Sequence, residues 1–222
     1  MIVTIDGPAG SGKSTAAREL ARALGIAYLD TGATYRAATL LAMRRGIDLT
    51  DEAALAGVAR EMDIELVPSA SGRVGVRLEG QDATDDIRTE AVTANSRHAA
   101  ANAAIREVLV ELQRRLGRGL GSFVTEGRDQ GSVVFPDADV KFYLDARPAE
   151  RARRRCDELA AHGEPADYDA VLEAIVERDR RDSSRAVGPL KVPDGATVID
   201  TSEMTVAEVT HRLAEHVRAR RP

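Results

Sequence analysis

Tryptophan is missing from this chain, aromatic residues make up only 3%, cysteine occurs once and lysine three times in 222 residues. Each shortage excludes something. With 43% hydrophobic residues but so few rings, a core must be built from Ala, Val, Leu and Ile. Cys156 alone cannot form an intrachain disulfide, and its Arg-rich helical surroundings make it a bystander. His98, His162, His211 and His216 share no metal-ligand spacing with it, which argues against a zinc-type centre. No apolar run has the length of a membrane span, so no membrane partner is expected. The N-terminus enters a strand directly, so no secretory signal is expected and a cytoplasmic location is. A net charge of −5 argues against nucleic acid as a general partner. Of 31 basic residues only Lys13, Lys141 and Lys191 are lysines, leaving 28 arginines. Arginine is the better residue for bidentate phosphate recognition, so arginines gathered at loops invite a functional reading. The length suits one α/β domain with a small insertion or lid; nothing asks for an oligomer, and a monomer is expected.

What is present is organised around Gly7-Pro8-Ala9-Gly10-Ser11-Gly12-Lys13-Ser14, which satisfies G-x-x-x-x-G-K-[ST] in full. The context fits. Ile2-Val3-Thr4-Ile5 before it is a β-branched run that predicts a buried strand. After it, Ser14 to Leu24 places Ala17, Leu20, Ala21 and Leu24 on one helical face, and Gly25 follows as a stop. Glycines let such a loop wrap phosphate oxygens without Cβ clashes, and the loop and helix N–H groups then face the anion. Gly7 to Thr15 is therefore the predicted triphosphate cradle. Lys13 can reach the β- and γ-phosphates, and the Ser14 hydroxyl suits Mg²⁺.

Strands predicted at 2–5, 26–29, 122–126, 140–144 and 197–200, separated by helical segments, make an α/β fold: a five-stranded parallel sheet with helices on both faces. Helices are expected at about 34–45, at 51–62 with a cap near Thr50, at 90–116, after Pro148, at 168–182 and at 205–218. Between them, at about 63–91, the period changes to two. Ile64 to Val67 and Arg73 to Leu78 read as a hairpin with Val74, Val76 and Leu78 on its dry face. Glu79 to Asp82 reads as a turn, and Ala83 to Thr89 as a possible third strand. This is an antiparallel, β-rich insert.

Polar residues gather at the carboxyl ends of the parallel strands, where open α/β sheets bind ligands. Asp30, Thr31, Tyr35 and Arg36 follow the second strand, and Glu126, Arg128 and Asp129 the third. In P-loop proteins the acid at the position of Glu126 typically holds Mg²⁺, directly or through water. Arg178, Asp182 and Arg185 share one helical face if that helix persists to residue 185. Arginines beside carboxylates at several strand ends suit a ligand with a phosphate and polar base edges.

GPAGSGKST, DTGATYRA, EGRDQGSVVFPDA, ERDRRDSSR and the terminal VIDTS together resemble the bacterial-type cytidylate kinases, P-loop nucleoside monophosphate kinases, nearly from end to end. The β-rich insert is characteristic of that family. The resemblance implies Mg²⁺-dependent transfer of a phosphoryl group from ATP to CMP or dCMP. It implies that Thr31, Tyr35, Arg36, Arg106, Arg128, Asp129, Arg178, Asp182 and Arg185 bind the monophosphate. Arg36 and Arg128 would take its phosphate; Asp129, Asp182 and Arg185 would lie near sugar and base. Arg151 to Arg155 would belong to a lid at about 148–167. Lys13, Arg128, Arg151 and Arg155 would then stabilise the transferring charge, and Ser14 and Glu126 would serve the metal. Two departures stand out. Gap-free alignment on Arg106 puts Arg97 where the family often has a base-contacting serine, with Ser96 one residue early. Thr34 replaces a common methionine.

The alternatives are a P-loop kinase of another small acceptor, such as UMP, AMP or shikimate, and a non-catalytic nucleotide-dependent switch. Guanine-specific switches carry an N-K-x-D element, which this sequence lacks.

Overall fold

The computed structural model describes residues 1–67, 74–161 and 163–220. The chain divides into two compact units: Met1–Ile26 with Ser122–Pro222, and Ala27–Gly121. The parallel strands are β1 (Ile2–Asp6), β2 (Ala27–Leu29), β6 (Phe123–Gly127), β7 (Val140–Asp145) and β8 (Thr197–Asp200), in the order β2-β6-β1-β7-β8. β1 is central because it is buried on both faces: Val3 and Ile5 are fully buried, and so are Thr4 and Asp6. Its register sets Asp6 opposite Gly127 on one side and Tyr143 on the other. The carboxyl ends of three strands thus finish together in the first unit.

That unit also holds α1 (Lys13–Leu24), α6 (Pro148–Ala161), α7 (Tyr168–Ser183) and α8 (Val206–Ala219). Gly25, at φ 65°, closes α1 as predicted, its N–H bonding to the Ala21 and Arg22 carbonyls. α8 opens with a reciprocal cap: Thr205 accepts from the Glu208 N–H, and Glu208 accepts from the Thr205 N–H. The segment after β6 winds into a π-helical turn over Gln130–Val134.

The second unit carries α2 (Thr31–Arg44), α3 (Glu52–Glu61), α4 (Glu90–Ala101) and α5 (Ala103–Leu120), with an antiparallel sheet of β3 (Ile64–Val67), β4 (Gly75–Leu78) and β5 (Gln81–Asp82). Its own core gathers Ala37, Leu41, Leu55, Val76, Leu78, Ile87, Ile105 and Leu109. Four expectations need correction here. The third strand is Gln81–Asp82 rather than 83–89, because Glu79 (φ 52°) and Gly80 (φ 75°) form a two-residue left-handed turn that pairs Leu78 with Gln81 at once. Residues 86–88 form a 3-10 turn instead. The single helix expected at 90–116 is two, broken at Asn102, whose side chain accepts from the Ile105 N–H at 3.1 Å and donates to the Glu52 carbonyl at 2.8 Å. α2 begins at Thr31, three residues early, because Asp30 accepts from the Ala33 N–H; α3 is capped by Asp51 rather than Thr50. The predicted start of the β4 strand at Arg73 lies outside the described residues.

Candidate active site

The glycine loop joins β1 to α1. At Gly7 (φ 148°) a Cβ would fall 2.0 Å from the Leu144 carbonyl oxygen, so β7 presses on the loop where only glycine fits. Gly12 (φ 86°) is the left-handed cap from which α1 starts. Thr201, just past β8, braces the loop by donating to the Ser11 carbonyl at 3.2 Å. Arg154 in turn donates to the Thr201 carbonyl. Lys13 is buried, and its ammonium folds onto the loop's own oxygens, the Pro8 carbonyl and Ser11 Oγ. Burial first, and then the positive charge of Arg128, hold its pKa well below that of an ordinary lysine. The charge of a bound polyanion would offset both.

Ser14 Oγ donates to Glu126 Oε1 at 2.8 Å, at the exposed mouth of the loop. A hydroxyl and a carboxylate side by side are hard oxygen donors, and Mg²⁺ takes one or two such groups plus phosphate oxygens and water. The pair therefore fits that ion. Among the described residues no group of three or more His, Cys, Asp or Glu side chains could hold a metal by itself.

Beyond β6, Arg128 Nε donates to Asp182 at 2.9 Å, and Arg185 also pairs with Asp182. α7 ends at Ser183, two residues before Arg185, yet Arg185 still reaches the carboxylate. One buried carboxylate is thus shared between two guanidiniums. Burial pushes the Asp182 pKa up, but the charge and hydrogen bond of Arg128, with Arg185 and Arg178, carry it below the ordinary value. Arg178 adds a third cation. Its pKa is lowered by loss of solvent around its head and then by Arg128, although the residue as a whole presents exposed surface. Asp129 is buried beside this cluster, at the cap of the π-helical turn.

Two residues that the sequence did not single out complete this end of the sheet. Asp6, buried at the end of β1, accepts from the N–H groups of Gln130 at 2.8 Å and Gly131 at 2.7 Å. Desolvation raises its pKa to about 7, against the lowering effect of those two bonds; nearby Asp129 raises it and Lys13 lowers it. The available signal was an acid at the carboxyl end of a β-branched strand. The other is Asp179, which takes up Arg151. Arg151 had been expected among the lid arginines. Instead it is buried, donating to the carbonyls of Ala146 (2.8 Å) and Ala9 (3.0 Å) and to both oxygens of Asp179 (3.1 and 2.5 Å). Its guanidinium is thus held among protein acceptors. Arg153 and Arg155 are exposed and pair along α6 with Glu150 and Glu158.

In the second unit, Asp30 both caps α2 and pairs with Arg36 at 3.1 Å and Arg88 at 3.5 Å. Arg88, also unforeseen, donates to the carbonyls of Thr84 and Val74 as well. Gly32 matters here: a Cβ would lie 2.8 Å from Arg36 Nη1. The Arg36 Nε is buried without a partner. Tyr35 offers its ring face to Arg106, 5.8 Å from the guanidinium carbon. Thr31 is buried at the start of α2; its carbonyl accepts from Thr34 Oγ1, which accepts from Gln113 Nε2. The hydroxyl of Thr34 is thus satisfied inside the fold. Ser96 bonds back to the Thr93 carbonyl of its own helix.

Among solved structures, TT1252 from Thermus thermophilus superposes with a TM-score of 0.52 at 19% identity, covering 99% of this chain and 96% of that one. Shikimate kinase from Bacteroides thetaiotaomicron does so with a TM-score of 0.50 at 12% identity, covering 98% of each chain. These likenesses, together with the loop and its lysine, define the fold as that of a P-loop kinase. Sequence narrows the class. The family model for cytidylate kinase matches residues 3–219. The cytidylate kinase of Pelotomaculum thermopropionicum is 48% identical over 99% of this chain and 96% of its own length, and that of Mycobacterium leprae is 48% identical over the same shares. This chain belongs to the cytidylate kinase family.

Proposed function

We propose that this protein transfers the γ-phosphoryl group of ATP to CMP or dCMP, with ADP and CDP or dCDP as products. The observation that carries the reading is a carboxylate shared between arginines: Arg128 and Arg185 both pair with buried Asp182, and Arg178 is close enough to help lower its pKa, at the strand end beside the triphosphate loop. Such a cluster is built to receive an anion.

Loop N–H groups of Gly7 to Thr15 and the Lys13 ammonium hold the donor phosphates. Thr31, Tyr35, Arg36, Arg106, Arg128, Asp129, Arg178, Asp182 and Arg185 bind the acceptor. Arg36 and Arg128 take its phosphate, while Asp129, Asp182 and Arg185 lie toward sugar and base. An acceptor phosphate oxygen forms the new bond to the γ-phosphorus as the bond to the β-phosphate oxygen breaks, and ADP leaves with that electron pair. No general base is needed, since the acceptor is already an oxyanion. Lys13 and Arg128 stabilise charge spreading over the transferring group. Ser14 and Glu126 would hold Mg²⁺, which supplies neutralisation of the triphosphate when bound. Arg155 is the remaining candidate for a lid group over the phosphates, in a lid spanning about 148–167. The protein acts as a cytoplasmic monomer.

A coupled assay of ADP release with CMP, dCMP, UMP and AMP tests this. Strong release with CMP or dCMP supports the reading. Turnover confined to UMP, AMP or a non-nucleotide acceptor, or no release with any, refutes it.

A further inference from the structure

Arg151 is charged, buried and fully occupied by protein groups, and those groups belong to two functional elements. Its Nη1 donates to the carbonyl of Ala9, inside the phosphate loop, at 3.0 Å. Its Cβ lies 3.2 Å from where a side chain on Gly10 would begin, so the arginine stem is packed on the loop backbone. Its Nη1 and Nη2 together clasp Asp179 of α7 in a two-pronged ion pair. Asp179 directly follows Arg178 and precedes Asp182 by three residues, so it sits in the turn of helix that carries the anion-receiving cluster.

The geometry of the peptide bond makes this clasp consequential. In a trans peptide the carbonyl of Ala9 and the N–H of Gly10 point in opposite senses. Fixing the Ala9 oxygen on Arg151 therefore fixes the direction of the Gly10 N–H, one of the donors available to a phosphate. The bidentate pairing resists rotation of the guanidinium, so the orientation of the loop peptide is referenced to α7.

We propose that the Arg151–Asp179 pair is a positioning clasp: it aligns the donor-binding loop with the acceptor-binding stretch of α7, and so couples triphosphate affinity to a carboxylate that touches no triphosphate. This rests on the kinase reading above. Neither residue is a catalytic residue in this role.

The test uses Asp179→Asn and Arg151→Lys in the full chain. ATP binding is measured by fluorescence titration with an N-methylanthraniloyl analogue, without any acceptor. The expected result is about tenfold weaker nucleotide binding in Asp179→Asn, the scale of one charge-assisted hydrogen bond. The double variant should be little worse than either single one, because both break one unit. Ile175→Val, a buried change on the same helix, serves as the stability control and should lower the melting temperature without moving nucleotide affinity. Unaltered ATP binding in Asp179→Asn overturns the proposal, as does strict additivity in the double variant. Should Arg151→Lys fail to fold, the Asp179→Asn titration decides alone. Because this titration needs no acceptor, a wild type that binds ATP but ignores pyrimidine monophosphates would sink the kinase reading while leaving the clasp tested.

Discussion

Arg128 and Arg151 look alike in sequence, each an arginine a few residues past a buried parallel strand, and the structure uses them in opposite ways. Arg151 meets a carboxylate of its own and two main-chain carbonyls, so its charge is consumed within the protein. Arg128 shares one buried carboxylate with Arg185, with Arg178 close by. A guanidinium clasped by a carboxylate and main-chain carbonyls is a strut. Guanidiniums that share one carboxylate suit an anion brought among them. How the carboxylates are shared, rather than the presence of arginine, separates the two.

The largest effect is expected at Lys13, an extreme of the second kind, hydrogen-bonded to loop oxygens rather than to a carboxylate. Lys13→Ala should lower kcat by about 10³ or more while the melting temperature stays level or rises, since a desolvated charge is removed. Near-normal ADP release would break the comparison. Next come the two arginines as a pair. Arg128→Ala should reduce kcat/KM for CMP by about 10² and cost only about 1 kcal/mol of stability, because Asp182 keeps Arg185. Arg151→Ala should cost about 3 kcal/mol, because it strands buried acceptors and half of an ion pair. Urea titrations of both variants, beside CMP saturation curves, would show whether the contrast holds; equal stability losses would erase it.

A subtler test compares two buried carboxylates. Asp182 is paired with guanidiniums and sits below the ordinary carboxyl pKa; Asp6 is held by N–H groups and is pushed up to about 7. A folded protein that keeps a proton the unfolded chain releases loses stability as pH rises. Asp6 therefore weakens the fold progressively from its ordinary 3.8 through about 7, while Asp182 works in the other direction and its contribution disappears as pH falls. Across that window the melting temperature of wild type should fall relative to that of Asp6→Asn as pH rises; parallel curves would contradict the assignment. The smallest effect belongs to Arg180, which pairs with Glu177 on the solvent side of α7. Arg180→Ala should leave melting temperature and turnover unchanged within error.

Much of this was legible in the chain. The phosphate loop could be read because its chemistry is local: strand, glycines, lysine, hydroxyl and helix follow without interruption. β1 could be read because burial on both faces writes a continuous β-branched run. The break at Asn102 could not, since it depends on a carbonyl of Glu52, fifty residues away. The turn after Leu78 could be read, but not its restriction to Glu79 and Gly80, because a glutamate rarely accepts a left-handed backbone. The pairing of Arg151 with Asp179 could not be read either, since the two lie 28 residues apart. Asp6 escaped notice because its role lies in two distant N–H groups rather than in any motif.

The order of strands carries a consequence for synthesis. β1 is made before its partners β6 and β7, and before Thr201, the brace beneath the glycine loop. The nucleotide-gripping segment is therefore translated ahead of every element that holds it. The stretch made in between, with an apolar core of its own, can collapse while the nascent N-terminal strand still waits for its neighbours.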